Sequence, residues 1–288
     1  MAAKNTIFSS KTTLNCRGRL LDLSIPVVMG IINVTPDSFY DGGKWEDEKS
    51  LLIRAEKMLQ EGASVLDVGG MSTKPGAVTV SEEEELRRVI PAIHAINKQF
   101  PEAIISVDTW RSNVLKTAVE HGACIANDIS GGTLDINLWK IVAEMKLPYL
   151  LMHMQGKPDN MQLNPQYENA VQEIFDWLKI KILQLNDLGI HDIIIDPGFG
   201  FGKSVEHNFQ LLRELAAFRL FGLPILAGVS RKSMICKVLK VNPDKALTGT
   251  TVLNTIALLN GASILRVHDV REAKEAIQLI QQLHAAAV

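Results

Sequence analysis

Asp108, Asn127, Asp196 and Lys232 each stand at or just beyond the end of a short apolar run, and together they could hold a flat heterocycle. Carboxylates accept ring N–H groups, an amide both donates and accepts, and an ammonium donates to a carbonyl or ring nitrogen. Arg266, His268 and Asn33 form a second set, suited to an anion such as a diphosphate. Other polar positions have simpler readings: Asp37, Ser38 and Asp128 as caps or turn formers, Asp269 as a helix cap, His153 as a satisfied core histidine. For Asp108, Asn127, Asp196, Lys232 and Arg266 together the simple reading fails, because gathering several charges in one mouth without a ligand is costly.

Residues 196–203, Asp-Pro-Gly-Phe-Gly-Phe-Gly-Lys, follow the apolar run Ile193-Ile194-Ile195. With Ser204 the segment departs from the phosphate-cradling pattern G-x-x-x-x-G-K-[ST] only at Pro197. Asp196 would set a negative charge beside any phosphate held there. The glycines therefore read as a sharp exit from a strand, with Lys203 exposed or structural and the phosphate site elsewhere on the same face.

The elements that must position these residues alternate in type. Apolar runs at Val27 to Val34, Ser64 to Val68, Ile104 to Val107, Ile125 to Asn127, Tyr149 to Met152, Ile193 to Ile195, Ile225 to Val229 and Ile264 to Val267 are separated by amphipathic stretches. Eight strands in this alternation predict an α/β fold, a closed (β/α)8 TIM barrel whose active face lies at the carboxyl ends of the strands. Ser81 and Glu84 form a capping-box pair before a helix in which Pro91 predicts a kink or a division. Val171, Ile174, Leu178, Ile182 and Leu185 make an apolar stripe that Gly189 ends. Residues 12–24, around Arg17-Gly18, predict an N-terminal β-hairpin closing the bottom of the barrel, and no linker or repeat divides residues 1–288, so one domain is expected.

Composition narrows the function classes. The chain has 288 residues, 47% hydrophobic and 22% charged, with a net charge of −2 and no lysine-arginine cluster, so neither nucleic acid nor a membrane surface is expected as a partner. Cys16, Cys124 and Cys236 are widely spaced and outside any metal-ligand pattern, which suggests reduced thiols in a cytoplasmic protein. No apolar run reaches the roughly 18 residues of a membrane span.

Eight segments in order carry a family resemblance: MGIINVTPDSFYDGG from Met29, DVGGMSTKPGA from Asp67, SVDT from Ser106, NDISGG from Asn127, MHMQGKP from Met152, DPGFGFGK from Asp196, SRKS from Ser230 and RVHDV from Arg266. The chain resembles the dihydropteroate synthases, pterin-binding barrel transferases of folate biosynthesis that join 6-hydroxymethyl-7,8-dihydropterin diphosphate to 4-aminobenzoate with loss of pyrophosphate. The resemblance implies that Asp108, Asn127, Asp196 and Lys232 hold the pterin with Met152 against its face. Asn33, Arg266 and His268 would take the diphosphate, with Asn33 near a magnesium ion. Phe39, Asp41, Ser72, Thr73, Lys74 and Pro75 would close the first two loops over the site, and Ser230 would meet the aminobenzoate carboxylate. Asp108, Asp196, Lys232, Arg266 and His268 would carry the chemistry. A cytoplasmic homodimer and competition by sulfonamides are also implied. The family usually has glutamate where this chain has Met71 and arginine where it has Lys74; lysine keeps the charge but loses the bidentate fork. Three alternatives stay open at this point: a non-catalytic pterin-binding homologue, a pterin-dependent methyltransferase without the diphosphate group, and a phosphate-loop nucleotide binder.

Overall fold

The computed structural model describes residues 11–34, 44–71, 79–157 and 160–286, without the side chains of 44–47. Strands β1 (Thr13–Cys16) and β2 (Arg19–Asp22) pair antiparallel around Arg17 and Gly18, both at positive φ, which is the backbone a two-residue hairpin turn requires. The parallel strands are β3 (Val27–Asn33), β4 (Ala63–Gly69), β5 (Ile104–Asp108), β6 (Ile125–Asp128), β7 (Tyr149–Met152), β8 (Ile193–Asp196), β9 (Leu226–Ala227) and β10 (Ile264–Val267). Their order is β8-β7-β6-β5-β4-β3-β10-β9, and a parallel bridge between Ile195 and Ile225 joins the two ends into a barrel.

All eight expected strands are present. The seventh is shorter than its apolar run, because beyond Ala227 the backbone leaves the ladder: Lys232 N–H turns back to the Val229 carbonyl, and Ser230 Oγ accepts the His268 N–H. Helices α1 (Lys44–Gln60), α2 (Glu82–Gln99), α3 (Ser112–Glu120), α4 (Leu138–Met145), α5 (Ala170–Asp187), α6 (Val205–Arg213), α7 (Ser233–Leu239), α8 (Leu247–Leu259) and α9 (Val270–Ala285) alternate with the strands. Of the kink or division expected at Pro91, division does not occur: α2 runs unbroken through it. It faces solvent, so the Arg87 carbonyl that loses its helical donor is left near water, while Val89, Ala92, Ile93 and Ile96 hold the inner face. Ser81 Oγ caps the Glu84 N–H at 3.2 Å, but the Glu84 carboxylate turns to Arg87 and Arg88, so only half of the expected box forms.

Two apolar clusters follow from strand alternation. One fills the shell between strands and helices with residues such as Val28, Leu66, Ile105, Leu151, Leu178 and Ile277. The other lies inside the barrel, where Met29, Val65, Ile125, Leu150, Ile194, Leu226 and Ile264 meet Leu14, Cys16, Leu21 and Leu23 of the hairpin. The hairpin is thus a plug for the barrel floor. Arg17 and Arg19 fix it by donating to the carbonyls of Val119, Pro101 and Ala103 at 2.7 to 2.8 Å. Above this plug the inward positions turn polar.

Candidate active site

The inward-facing sequence of β4 passes from Val65 to Asp67, and Asp67 is the hub of the barrel mouth. Its Oδ2 accepts Asn127 Nδ2 at 2.9 Å and Arg266 Nε at 2.7 Å, and it is fully buried. Arg266 reaches on to Asp108 Oδ2 through Nη2 at 2.7 Å. Three strands and a carboxylate on a fourth are therefore tied by one guanidinium and one amide. Burial works against the charge of Arg266, yet Asp67 and Asp108 outweigh it and push its pKa up. Asp108 moves the other way: burial raises it to about 7, with Arg266 opposing and Asp67 adding to the rise. Asp67 Oδ1 and Ser106 Oγ, adjacent in the pairing of β4 with β5, are buried without a hydrogen-bond partner among the described residues.

The glycine loop holds the other half of the site. Asp196 Oδ1 accepts the Gly198 N–H at 2.7 Å, and burial raises its pKa against the pull of Lys232 and that N–H. Lys232, reaching in from the segment after β9, donates to the Phe199 carbonyl and lies 4.5 Å from the centre of the Phe201 ring. Burial lowers its pKa to about 8, with Asp196 resisting. Gly198 and Gly202 take positive φ, and a Cβ there would lie 1.9 Å from the His153 carbonyl oxygen and 2.3 Å from that of Gln155. Only glycine lets this loop lie flat on the β7 exit while presenting a carbonyl and a ring to Lys232.

Lys203 is buried, not exposed, and its role is structural. Its Nζ donates to the Phe201 carbonyl at 2.9 Å and to His153 Nδ1 at 3.1 Å, so it does not reach a phosphate. His153 is the satisfied core histidine: burial lowers its pKa to about 2, and its ring packs edge-on against Trp177. Asp128 is a turn former, accepting the Ser130 and Gly132 N–H groups and the Tyr149 hydroxyl at 2.7 Å. Asp269 precedes α9 without capping it and instead takes Arg231 in a two-point pair at 2.9 and 2.6 Å.

At the other side of the mouth, Ser230 Oγ accepts the His268 N–H at 3.2 Å and sits 3.0 Å from His268 Nδ1. Burial, then Arg266 and Arg231, lower the His268 pKa to about 4, so the ring is neutral near neutral pH and shares one hydrogen bond with the Ser230 hydroxyl. Asn33 is half-buried at the end of β3, next to β10 as closure demands, and Met152 is buried in the lumen at the end of β7. Phe39, Asp41, Ser72, Thr73, Lys74 and Pro75 lie outside the described residues.

Sequence reasoning missed Asp67, Phe199 and Phe201. The signal for Asp67 was a carboxylate at an inward position of an otherwise apolar strand, two residues before Gly69. Met71 also gains a setting: it is buried with Sδ 3.8 Å from Arg111 Nη1, while Arg111 pairs with buried Glu85 and donates to the Val80 carbonyl. A glutamate at position 71 would face that same guanidinium.

The family described as pterin binding enzyme matches residues 29–268. Dihydropteroate synthase of Escherichia coli (strain K12) is 46% identical over 93% of this chain and 95% of its own length. The chain belongs to the dihydropteroate synthase family. It is therefore an enzyme of the transferase class. The Haemophilus influenzae member is 44% identical over 93% of this chain and 98% of its own. Among solved members, a Yersinia pestis dihydropteroate synthase in a sulfonamide drug complex superposes with a TM-score of 0.89 at 42% identity, covering 95% of this chain and 99% of that one. Xanthomonas albilineans dihydropteroate synthase with 4-aminobenzoic acid gives 0.89 at 39% identity, covering 97% and 100%. The same enzyme with 7,8-dihydropteroate gives 0.85 at 38%, covering 96% and 99%. The family match runs through the segments from Met29 to His268, and it removes the phosphate-loop reading of residues 197–204.

Proposed function

We propose that this chain is a dihydropteroate synthase of folate synthesis, condensing 6-hydroxymethyl-7,8-dihydropterin diphosphate with 4-aminobenzoate to give 7,8-dihydropteroate and pyrophosphate. The observation that carries the reading is the charged lumen itself: Asp67, Asp108, Asn127, Asp196, Lys232 and Arg266 gathered above an apolar plug. Solved relatives named with 4-aminobenzoic acid and with 7,8-dihydropteroate support the two ends of the reaction.

In this reading Asp108 and Asp196 accept the pterin ring N–H groups, Lys232 donates to its acceptors, Asn127 does both, and Met152 lies against the ring. Arg266 and His268 Nε2 face the diphosphate, and Asn33 offers an amide oxygen. Among the described residues no three acidic, histidine or cysteine side chains form a metal cage. Asn33 offers the oxygen donor that a magnesium ion would take from the protein, and when bound that ion would neutralise charge on the leaving group. The arylamine is a weak nucleophile, so cleavage of the C–O bond runs ahead of attack, an SN1-like course. The lumen carboxylates favour the cation left on the pterin methylene, while Arg266 and His268 stabilise the departing pyrophosphate. The loops bearing Phe39, Asp41, Ser72, Thr73, Lys74 and Pro75 close over the site and exclude water, and Ser230 helps seat the aminobenzoate carboxylate by donating its hydroxyl proton. Sulfonamides would compete there. Residues 1–288 act as one domain in this account, in the cytoplasm and as a homodimer.

Incubation with both substrates and magnesium tests the reading. Pyrophosphate release that depends on 4-aminobenzoate is expected. Tight binding of the pterin diphosphate with no release above background would instead identify a binding module, and methyl transfer from a methylfolate would identify a methyltransferase.

A further inference from the structure

Lys203 is buried behind the glycine loop, where Nζ meets three acceptors: the Phe201 carbonyl at 2.9 Å, His153 Nδ1 at 3.1 Å and the His153 carbonyl at 3.3 Å. All three are neutral. Burying an ammonium against neutral acceptors is costly, and a methionine of similar length would fill the same space without that cost. The geometry around the ammonium leads to Asp196. Nζ stands 3.3 Å from where a Cβ on Gly198 would project, and the N–H of that same glycine donates to Asp196 Oδ1 at 2.7 Å. The β7 exit closes the circuit, since His153, which holds Lys203 by its ring and its carbonyl, donates its own N–H to the Asp196 carbonyl at 3.1 Å. We propose that Lys203 is a positioning residue for the pterin site: its ammonium, set between Gly198 and the β7 exit, fixes the glycine loop so that Asp196 and the Phe199 carbonyl keep one geometry toward the pterin and Lys232. The proposal rests on the synthase reading and adds to it a residue that touches no substrate.

Every carbonyl from Gly198 to Gly202 has a donor. The Phe201 N–H serves Gly198 at 3.1 Å, Lys232 serves Phe199, Gln162 Nε2 serves Gly200 at 2.5 Å, Lys203 serves Phe201, and the Tyr167 hydroxyl serves Gly202 at 3.0 Å. Two of these donors are ammonium groups, on alternate carbonyls, and both favour the ionised form of Asp196 against its burial. Lys232 belongs to the site itself, and Lys203 stays behind it. Without Lys203 the Phe201 carbonyl and His153 lose their donor, the loop is released from the β7 exit, and Asp196 loses a neighbouring positive charge. Both effects weaken the acceptor offered to a pterin N–H. The Tyr167 hydroxyl, by contrast, fastens the same loop with a neutral bond at its far end, so it separates loop stability from the geometry at Asp196.

Binding of the pterin diphosphate to the unmutated chain, by calorimetry with magnesium, is measured first; its absence would overturn the synthase reading and this proposal together. Lys203→Met and Tyr167→Phe are then compared in steady-state condensation assays. In Lys203→Met the KM for the pterin diphosphate should rise about 10-fold or more, while the KM for 4-aminobenzoate changes by less than about 2-fold. In Tyr167→Phe both constants should stay within about 2-fold of the unmutated chain, even where urea unfolding shows stability lost. A Lys203→Met protein that loses stability and keeps both constants would overturn the proposal and leave Lys203 a packing residue. Equal rises in the two variants would overturn it as well, because any loosening of the loop would then suffice. Should Lys203→Met fail to fold, His153→Phe decides, since it keeps a ring against Trp177 and removes the Nδ1 acceptor. The same selective rise in the pterin constant is expected there, and an unchanged constant would count against the proposal.

Discussion

At the scale of residues, the site is an arrangement of buried charges that satisfy one another before any ligand arrives. Arg266 is shared by Asp67 and Asp108, and removing Asp67 breaks one buried ion pair and leaves Arg266 Nε and Asn127 Nδ2 without their acceptor. Asp67→Ala should cost about 3 to 5 kcal/mol of stability in urea unfolding, the range for breaking a buried pair; a loss below about 1 kcal/mol would remove Asp67 as the hub. The titrations of Asp108 and Lys232 give a second expectation. Pterin affinity needs Asp108 as an acceptor, so it should rise as pH rises through about 7, where Asp108 ionises. It needs Lys232 as a donor, so it should fall as pH rises through about 8. Calorimetry should therefore show a narrow optimum between those values, and a flat profile from pH 6 to about 9 would exclude both roles. Asp108, Asn127, Asp196, Lys232 and Arg266 were legible in the sequence because charge at the end of an apolar strand has few other uses. The pairing of Arg266 with Asp67 was not, since it depends on which side chains meet across the lumen.

At the scale of elements, the strands were legible because each is a short apolar run bounded by polar or glycine residues. The helices were legible from their stripes, as α5 shows with Val171, Ile174, Leu178 and Leu185 buried and Gly189 at positive φ beyond its end. Pro91 leaves α2 undivided because its missing N–H falls on the side of the helix that meets water, which a local rule does not reveal. Of the two readings of Lys203 at the end of the glycine loop, exposed or structural, the structure takes the second, because a histidine and a carbonyl are brought to it from the β7 exit. That loop offers a direct check. Gly198→Ala forces a Cβ into the His153 carbonyl at a positive φ, so about 2 kcal/mol or more of stability should be lost, with pterin affinity falling alongside as Lys232 loses the Phe199 carbonyl. Unchanged urea unfolding and affinity would show that the loop adapts freely.

At the scale of the whole molecule, the barrel divides its labour along its axis: an apolar plug and hairpin below, charges above. The outside is less evenly finished. Helix α8 is apolar on nearly every side and leaves Val252 53%, Ile256 36% and Leu259 50% exposed, beside Leu279 and Leu283 of α9. A second copy covering this face fits the proposed homodimer. Ile256→Glu should convert a dimer to a monomer in sedimentation, whereas an unchanged mass would place the interface elsewhere. Among the described residues no helix is long and apolar enough to cross a membrane. The central claim is that condensation occurs where Asp196 and Lys232 stand at or beyond the ends of neighbouring strands in the barrel mouth. Its most direct test is to measure dihydropteroate by mass and pyrophosphate by enzymatic assay for the unmutated chain and for Asp196→Asn, at subsaturating pterin diphosphate with saturating 4-aminobenzoate. The account predicts equal amounts of the two products from the unmutated chain and a rate about 10- to 160-fold lower in the variant, the loss of one charge-assisted hydrogen bond of about 1.5 to 3 kcal/mol. Equal rates for the two proteins, or pyrophosphate formed without dihydropteroate, would contradict it.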